Sequence, residues 1–513
     1  MAFSGAIVLA DLNDYIAPSQ ACIKPVEVKV TKKDVDQPTS IKIDDTGGYY
    51  EVTQDGGETK LEKASITLND CLACSGCITS AESVLVAMQS NEELYNVLKS
   101  NQEVLANHRT IVVSLSPQSR ASLAAKYNIT PLQVARRLTH FFKQLGVHHV
   151  FDTSLSRDLS LIESAREFVE RYRRHQSVKP PASATPEQTD DGTVVKARRM
   201  VGRRAGRNEA VAVADGAGAA VGADLPMLAS SCPGWICYAE KTHGYVLPHV
   251  STAKSPQQVM GSIVKDYLAG RWEVRPNQIY HVSIMPCYDK KLEASRPDFY
   301  DEECATRDVD CVITTGEVDK MLEEQGANLR IMPEAELDPV FTKMILDATT
   351  SQPVLLGTPG TGSGGSLEFI LSYAARELFN LPSLRTDLPP DAPTSFPGLT
   401  IRTVRNVDLR EYTLELPATP DSPAVPVLQF AAAYGFRNIQ NLVRKIKQGK
   451  CAYHYVEVMA CPGGCVNGGG QLKPPEGSDV VSAKEWVAHV ERVYRSVEGV
   501  SPEENSVVRG LYG

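Results

Sequence analysis

The stretch Glu457-Val-Met-Ala-Cys461-Pro-Gly-Gly-Cys465-Val-Asn-Gly-Gly-Gly-Gln471 is the part of the 513-residue chain around which the rest is organised. Three residues separate Cys461 from Cys465, and five of the nine residues from Pro462 to Gly470 are glycines. Glycines let a backbone turn tightly and approach a bulky group. A thiolate-ligated inorganic cluster is such a group: it carries negative charge, and its sulfurs need backbone N–H donors, which converge most readily where no Cβ intervenes. Read alone, the stretch also fits a glycine-rich turn after a strand with two core cysteines.

A second group, Asp70-Cys71-Leu-Ala-Cys74-Ser-Gly-Cys77, is the most specific local motif. Three thiolates at successive two-residue spacing wrap one corner region of a cubane, and ferredoxin-type runs place a fourth cysteine shortly after, before a proline. Ala81-Glu82 fills that place, so the fourth ligand comes from elsewhere, and Cys22 is the one other cysteine in this part of the chain. Zinc competes for four cysteines, although its sites usually pair two Cys-x2-Cys hairpins. The successive spacing favours a 4Fe-4S cluster, with zinc and purely structural cysteines as alternatives.

With 42% hydrophobic and 22% charged residues, the composition is that of an ordinary globular protein, long enough for roughly three domains. The formal net charge of −9 argues against a general nucleic-acid binder, because neutralising phosphates needs a basic face. Residues 1–14 hold a short apolar run with no basic segment before it, the pattern of neither a signal peptide nor a membrane span. The expectation is a cytosolic or nuclear location, where clustered cysteines point to metal rather than disulfides.

Hydrophobic patterning predicts helices over 80–107, 131–145 and 482–498, with the last residues loose. It predicts strands over 108–115, 148–152, 225–231, 280–285, 309–314, 354–357 and 454–459. Strands alternating with helices predict an α/β fold with mainly parallel sheets covered on both faces. Residues 177–223 break the pattern and read as a disordered insertion, its basic cluster from Lys196 to Arg207 a solvated segment. The glycine-rich loop 358–365 lacks the Lys-Ser/Thr ending of a phosphate-binding loop, so no nucleotide is assigned to it.

Cys232, Cys287, Cys461 and Cys465 all fall at or just beyond the carboxyl ends of predicted strands, the edge at which ligands gather in parallel α/β sheets. Cys237, Cys304, Cys311 and Cys451 match no such pattern and read as core residues. Around the first group, Ser231-Cys232-Pro-Gly-Trp235, Met285-Pro-Cys287-x2-Lys290-x2-Glu293 and Glu457-x-Met-Ala-Cys461-x2-Gly-Cys465-x2-Gly-Gly-Gly-Gln471 resemble the three signature motifs of iron-only hydrogenases. The amino-terminal Leu12-Asn-Asp-Tyr-Ile-x-Pro-Ser-Gln-x-Cys22-Ile-Lys-Pro25 narrows the resemblance to the eukaryotic iron-only hydrogenase-like proteins, also called nuclear prelamin A recognition factor-like proteins. It covers essentially the whole chain apart from the insertion.

That resemblance implies a two-lobed hydrogenase-like α/β domain behind a small amino-terminal cluster domain. The expected division is 1–105, then 106–275 with the insertion, then 276–470, and a helical tail over 471–513. It also implies two 4Fe-4S clusters, one on Cys22, Cys71, Cys74 and Cys77 and a second on Cys232, Cys287, Cys461 and Cys465. The implied role is that of a cytosolic iron-sulfur protein assembly factor between scaffold NTPases and a WD40-containing targeting complex, with no nucleic-acid or membrane partner. Hydrogenases usually place a proton-relaying cysteine immediately before the first active-site cysteine; Ser231 stands there, a much poorer acid than a thiol. The extra ferredoxin-type cysteine runs that wire hydrogenases to electron donors are missing too. Hydrogenase activity is therefore not expected, Cys465 ligates the cubane alone, and Trp235 walls the second cluster. An active redox enzyme and a prelamin-binding module with structural metal are the alternative readings.

Overall fold

The computed structural model describes residues 40–43, 49–52, 58–60, 80–103, 108–178, 225–338, 344–346, 353–382, 384, 398–416, 425–475 and 482–512. Cys22, Cys71, Cys74, Cys77, nearly all of the expected insertion and its basic cluster lie outside the described residues.

Two sheets carry the main body, with strands β1 (Thr110–Leu115), β2 (His149–Asp152), β3 (Met227–Ala229), β4 (Ile279–Met285), β5 (Cys311–Thr314), β6 (Leu399–Thr403), β7 (Leu409–Leu416), β8 (Val425–Tyr434) and β9 (Tyr455–Met459). The first sheet has the order β5-β4-β1-β2 and is parallel throughout. The second has the order β6-β7-β8-β9-β3: β6, β7 and β8 form an antiparallel meander, while β9 runs parallel to both β8 and β3. Ser40–Ile43, Tyr49–Val52 and Glu58–Lys60 pair as a separate antiparallel sheet.

The first sheet is buried on both faces, which is why β1 and β4 read as nearly unbroken apolar runs. On one face Ile111, Val113, Val282 and Ile284 pack with Leu94, Leu138 and Phe142 from the helices Asn91–Glu103 and Pro131–Leu145. On the other, Val112 and Ile279 meet Phe151, Leu155 and Val264. The helix Pro131–Leu145 has the expected bounds because its ends are written locally. Thr130 and Gln133 form a capping box, Pro131 opens the first turn, and Gly146 closes the helix at a φ of 103°.

Three features differ from expectation. The helix Ser154–Val178 links both cores, giving Leu155 and Ile162 to one and Ala165, Phe168, Val169 and Tyr172 to the other. The division at residue 275 does not follow the sheets, since β3 completes the second sheet whereas β4 and β5 complete the first. Sheet membership is set by which edge a strand completes rather than by its sequence neighbours. Finally, Ser506–Tyr512 is helical; the Tyr512 hydroxyl donates to Glu163, and the Arg166 guanidinium lies 4.5 Å from its ring centre. Among the described residues no helix is long and apolar enough to cross a membrane.

His281 on β4 is fully buried between β1 and the 308–310 turn. Its Nδ1–H donates to the Asp308 carbonyl at 2.9 Å, and Ser114 Oγ lies 2.9 Å from Nε2. Burial lowers its pKa to about 4, with the Asp308 carbonyl opposing. An unfolded histidine titrates near 6.5, so between that pH and about 4 the unfolded chain binds the extra proton and stability falls as pH drops. The loss should reach up to about 3 kcal/mol at about 1.4 kcal/mol per pH unit. Urea unfolding across this window should show a flatter pH slope in His281→Gln, and an unchanged slope would remove His281 as its cause.

Candidate metal centre

The three motif loops leave β3, β4 and β9 at their carboxyl ends and meet between the two sheets. Cys232, Cys287, Cys461 and Cys465 line one cavity, together with Arg157, Ser231, Gln257, Asp289, Lys290 and Met459. Cys232 follows β3, Cys461 and Cys465 follow β9, and Cys287 follows β4 in the other sheet, so the cavity joins the lobes. Cys232 and Cys461 are buried, whereas Cys287 and Cys465 are half-buried. Cys22, Cys71, Cys74 and Cys77, the first expected site, lie outside the described residues.

Burial raises the pKa of all four cavity thiols, Cys465 to about 12. Mutual repulsion adds to this: Cys232, Cys287 and Cys465 all push Cys461 further up. Four sulfurs so placed can ionise together only around a cationic core. Among the described residues no three His, Cys, Asp or Glu side chains are grouped to hold a single metal ion. A zinc ion gathers its sulfurs at about 2.3 Å from one centre, whereas a cubane spreads its thiolates over separate irons. Four thiols ringing a cavity therefore fit a cluster better than a lone ion.

Apart from Asp289, whose carboxylate opposes the thiolates, the walls suit an anion. Arg157 from the first turn of Ser154–Val178, Cys232 at the start of Pro233–Thr242, and Pro256 and Gln257 at the start of Pro256–Ser262 all line the cavity. Amino ends of helices concentrate positive potential and unpaired N–H groups. The backbone N–H groups of Ala460 and Trp235 donate to Cys232 and favour its thiolate. Trp235 is fully buried in the core of the second sheet, in the same buried cluster as Cys232.

The glycines of the opening stretch do something other than supply those donors. A Cβ on Gly468 would stand 2.3 Å from the Pro286 carbonyl oxygen, and one on Gly470 would stand 2.7 Å from Thr314 Cβ. The Gly470 N–H donates to the Pro286 carbonyl at 2.9 Å. These glycines press the Cys465 loop onto the Cys287 loop. Gly234 likewise lets the helix Pro233–Thr242 approach Asp289, whose carboxylate oxygen would lie 3.1 Å from a Cβ there. The loop 358–365, given no role from its sequence, supports the site: Ser363 Oγ accepts from the Cys465 N–H at 3.4 Å, and the Gly362 carbonyl accepts from Gln118 at 2.9 Å.

Lys290 and Glu293 are ion-paired at 2.8 Å, and Gln257 Nε2 donates to Glu293 at 3.0 Å. Ser231 lines the cavity where a relaying thiol would stand. Sequence reading missed Arg157, Gln118 and Asp289 as cavity residues; only Asp289 lay inside a quoted motif. Among the remaining cysteines Cys311 is a core residue, while Cys237, Cys304 and Cys451 are half-buried.

An α/β fold with parallel strands delivering motif cysteines into an interlobe cavity is the architecture of a hydrogenase-type iron-sulfur protein. Residues 109–188 and 208–469 match the family described as iron only hydrogenase large subunit, C-terminal domain, and the chain belongs to that family. Its relatives include the cytosolic iron-sulfur assembly component 3 of Pongo abelii, 48% identical over 99% of this chain and 92% of that protein. The cytosolic Fe-S cluster assembly factor narfl of Xenopus tropicalis is 49% identical over 100% of this chain and 92% of its own length. Among solved structures, the apo FeFe-hydrogenase HydA1 of Chlamydomonas reinhardtii superposes with a TM-score of 0.60 at 26% identity, covering 82% of this chain and 93% of that one.

Proposed function

We propose that the chain holds two 4Fe-4S clusters and acts, without hydrogenase catalysis, in the assembly of cytosolic iron-sulfur proteins. Cys232, Cys287, Cys461 and Cys465 would hold one cluster, and Cys22, Cys71, Cys74 and Cys77 the other. The observation that carries the reading is the convergence of four cysteines, from three motifs and two sheets, on one cavity. The names of relatives aligned over nearly the whole chain support the assembly role. In that role the protein links an upstream NTPase scaffold complex to a WD40-containing targeting complex, in the cytoplasm and also the nucleus.

A bound 4Fe-4S cluster supplies one-electron redox chemistry or, when passed on, the inorganic cargo itself. The chain's own residues orient it: Ser230 Oγ accepts from the Cys232 N–H at 3.1 Å and donates to the Val458 carbonyl, tying the first motif to β9. Ser231 leaves the cavity without an acidic thiol to move protons at neutral pH.

In cells whose sole copy carries Cys71→Ala or Cys461→Ala, cytosolic iron-sulfur enzyme activities should fall severalfold while mitochondrial ones persist. Normal cytosolic activities in both would sink the assembly role. The retained Lys290–Glu293 pair favours a second reading, a hydrogenase-type redox enzyme. Hydrogen evolution by the anaerobic protein would establish it.

A further inference from the structure

Arg157 is a buried cation whose hydrogen-bond partners among the described residues are neutral. Its side chain is 5% exposed; one terminal nitrogen donates to the Tyr494 hydroxyl at 2.6 Å and the other to Gln118 Oε1 at 2.9 Å. Leaving a guanidinium buried without an opposite charge is costly unless a ligand supplies that charge. Nearby Arg120 is itself a cation, paired with Asp152, and adds repulsion rather than an opposite charge.

The guanidinium is positioned rather than stranded. Gln118 Nε2 is held by the Gly362 carbonyl, which turns Oε1 toward Arg157. Gly364, at a φ of 124°, lets the chain pass so closely that a Cβ there would sit 3.3 Å from Arg157 Nε. Arg157 lines the thiol cavity and lies near enough to Cys465 to favour its thiolate. Two other charges share the wall: Lys290, though paired with Glu293, also favours the Cys465 thiolate, and Asp289, at the amino end of Pro233–Thr242, opposes the thiolates of Cys232, Cys287 and Cys461.

We propose that Arg157 is the built-in counter-charge of the anionic centre held by Cys232, Cys287, Cys461 and Cys465, and that it raises the reduction potential of that centre. The proposal rests on the cluster reading above. Reduction adds one electron and makes the centre more negative, so a fixed cation stabilises the reduced state more than the oxidised one. Gln118, Tyr494 and Gly364 act as positioning groups for that charge.

The test is an anaerobic redox titration with dithionite as reductant, followed by electron paramagnetic resonance, on full-length wild type, Arg157→Gln and Arg157→Lys. The signal followed is the one that disappears in Cys461→Ala. Arg157→Gln should shift its midpoint to a more negative potential, while Arg157→Lys should stay close to wild type. If Arg157→Gln instead loses the centre and Arg157→Lys keeps it, the charge role is again supported. An unshifted midpoint in Arg157→Gln, or loss of the centre in both variants, would overturn the proposal and leave Arg157 a packing residue. If Cys461→Ala abolishes no signal, the cluster reading itself has failed, independently of Arg157.

Discussion

Cys461→Ala should cut iron and acid-labile sulfide in the anaerobically purified protein from about eight to about four per chain, with the remaining iron cubane-like by Mössbauer spectroscopy. Cys461 has the other three cavity thiols close enough to repel its charge, so it borders the whole site rather than one edge. Without it one iron lacks its thiolate, and the buried wall offers no further cysteine among those lining the cavity. The fold should survive, because the side chain lost is small and the β8–β9 pairing does not depend on it. Cys71→Ala should remove the other half of the iron and leave the first half, since its cysteines share no motif with the cavity. Zinc in place of the iron lost from Cys71→Ala would favour a structural metal at that site. Low-spin iron beyond the cubanes would favour the hydrogenase reading.

Gly468→Ala should remove the same centre without touching a cysteine. The backbone at Gly468, φ −62° and ψ 151°, is open to any residue, so the effect is one of space alone. A Cβ would lie 2.3 Å from the Pro286 carbonyl oxygen and 3.0 Å from its carbon. Both partners are backbone, so the loops must part. Parting breaks the bond from Gly470 to Pro286 and carries Cys465 away from Cys287. A destabilisation of about 2–4 kcal/mol is expected, read as a lowered thermal midpoint, together with a fall in iron to about four per chain. Gly469→Ala is the matched control, because nothing lies within 4 Å of a Cβ at that position. Equal losses in both variants would show that the loop tolerates no side chain for reasons other than the Pro286 contact.

The two variants bear on different aspects of the same stretch. Its cysteines act through chemistry, which sequence spacing displays. Its glycines act through contact with Pro286 and Thr314, residues more than a hundred positions away, and spacing alone suggested N–H donors to sulfur instead. The donors found at Cys232 come from Ala460 and Trp235. Other misses had visible signals: in β7 the buried Tyr412 and Leu414 alternate with more exposed neighbours, and Ala165, Phe168, Val169 and Tyr172 mark one face of a helix at 154–178.

By itself the sequence determined the local chemistry of this protein. It wrote the caps of Pro131–Leu145, the apolar runs of β1, β4 and β9, and the three cysteine motifs at strand ends, because periodicity and capping act over a few residues. Only the tertiary structure decided that β3 leaves its sequence neighbours for the second sheet, and that Cys287 crosses between lobes to meet Cys232, Cys461 and Cys465. It also decided that Arg157, in no motif, lines their cavity. Those placements depend on which edges and faces are left to be covered once the chain has collapsed, and that information is shared among residues far apart in the sequence.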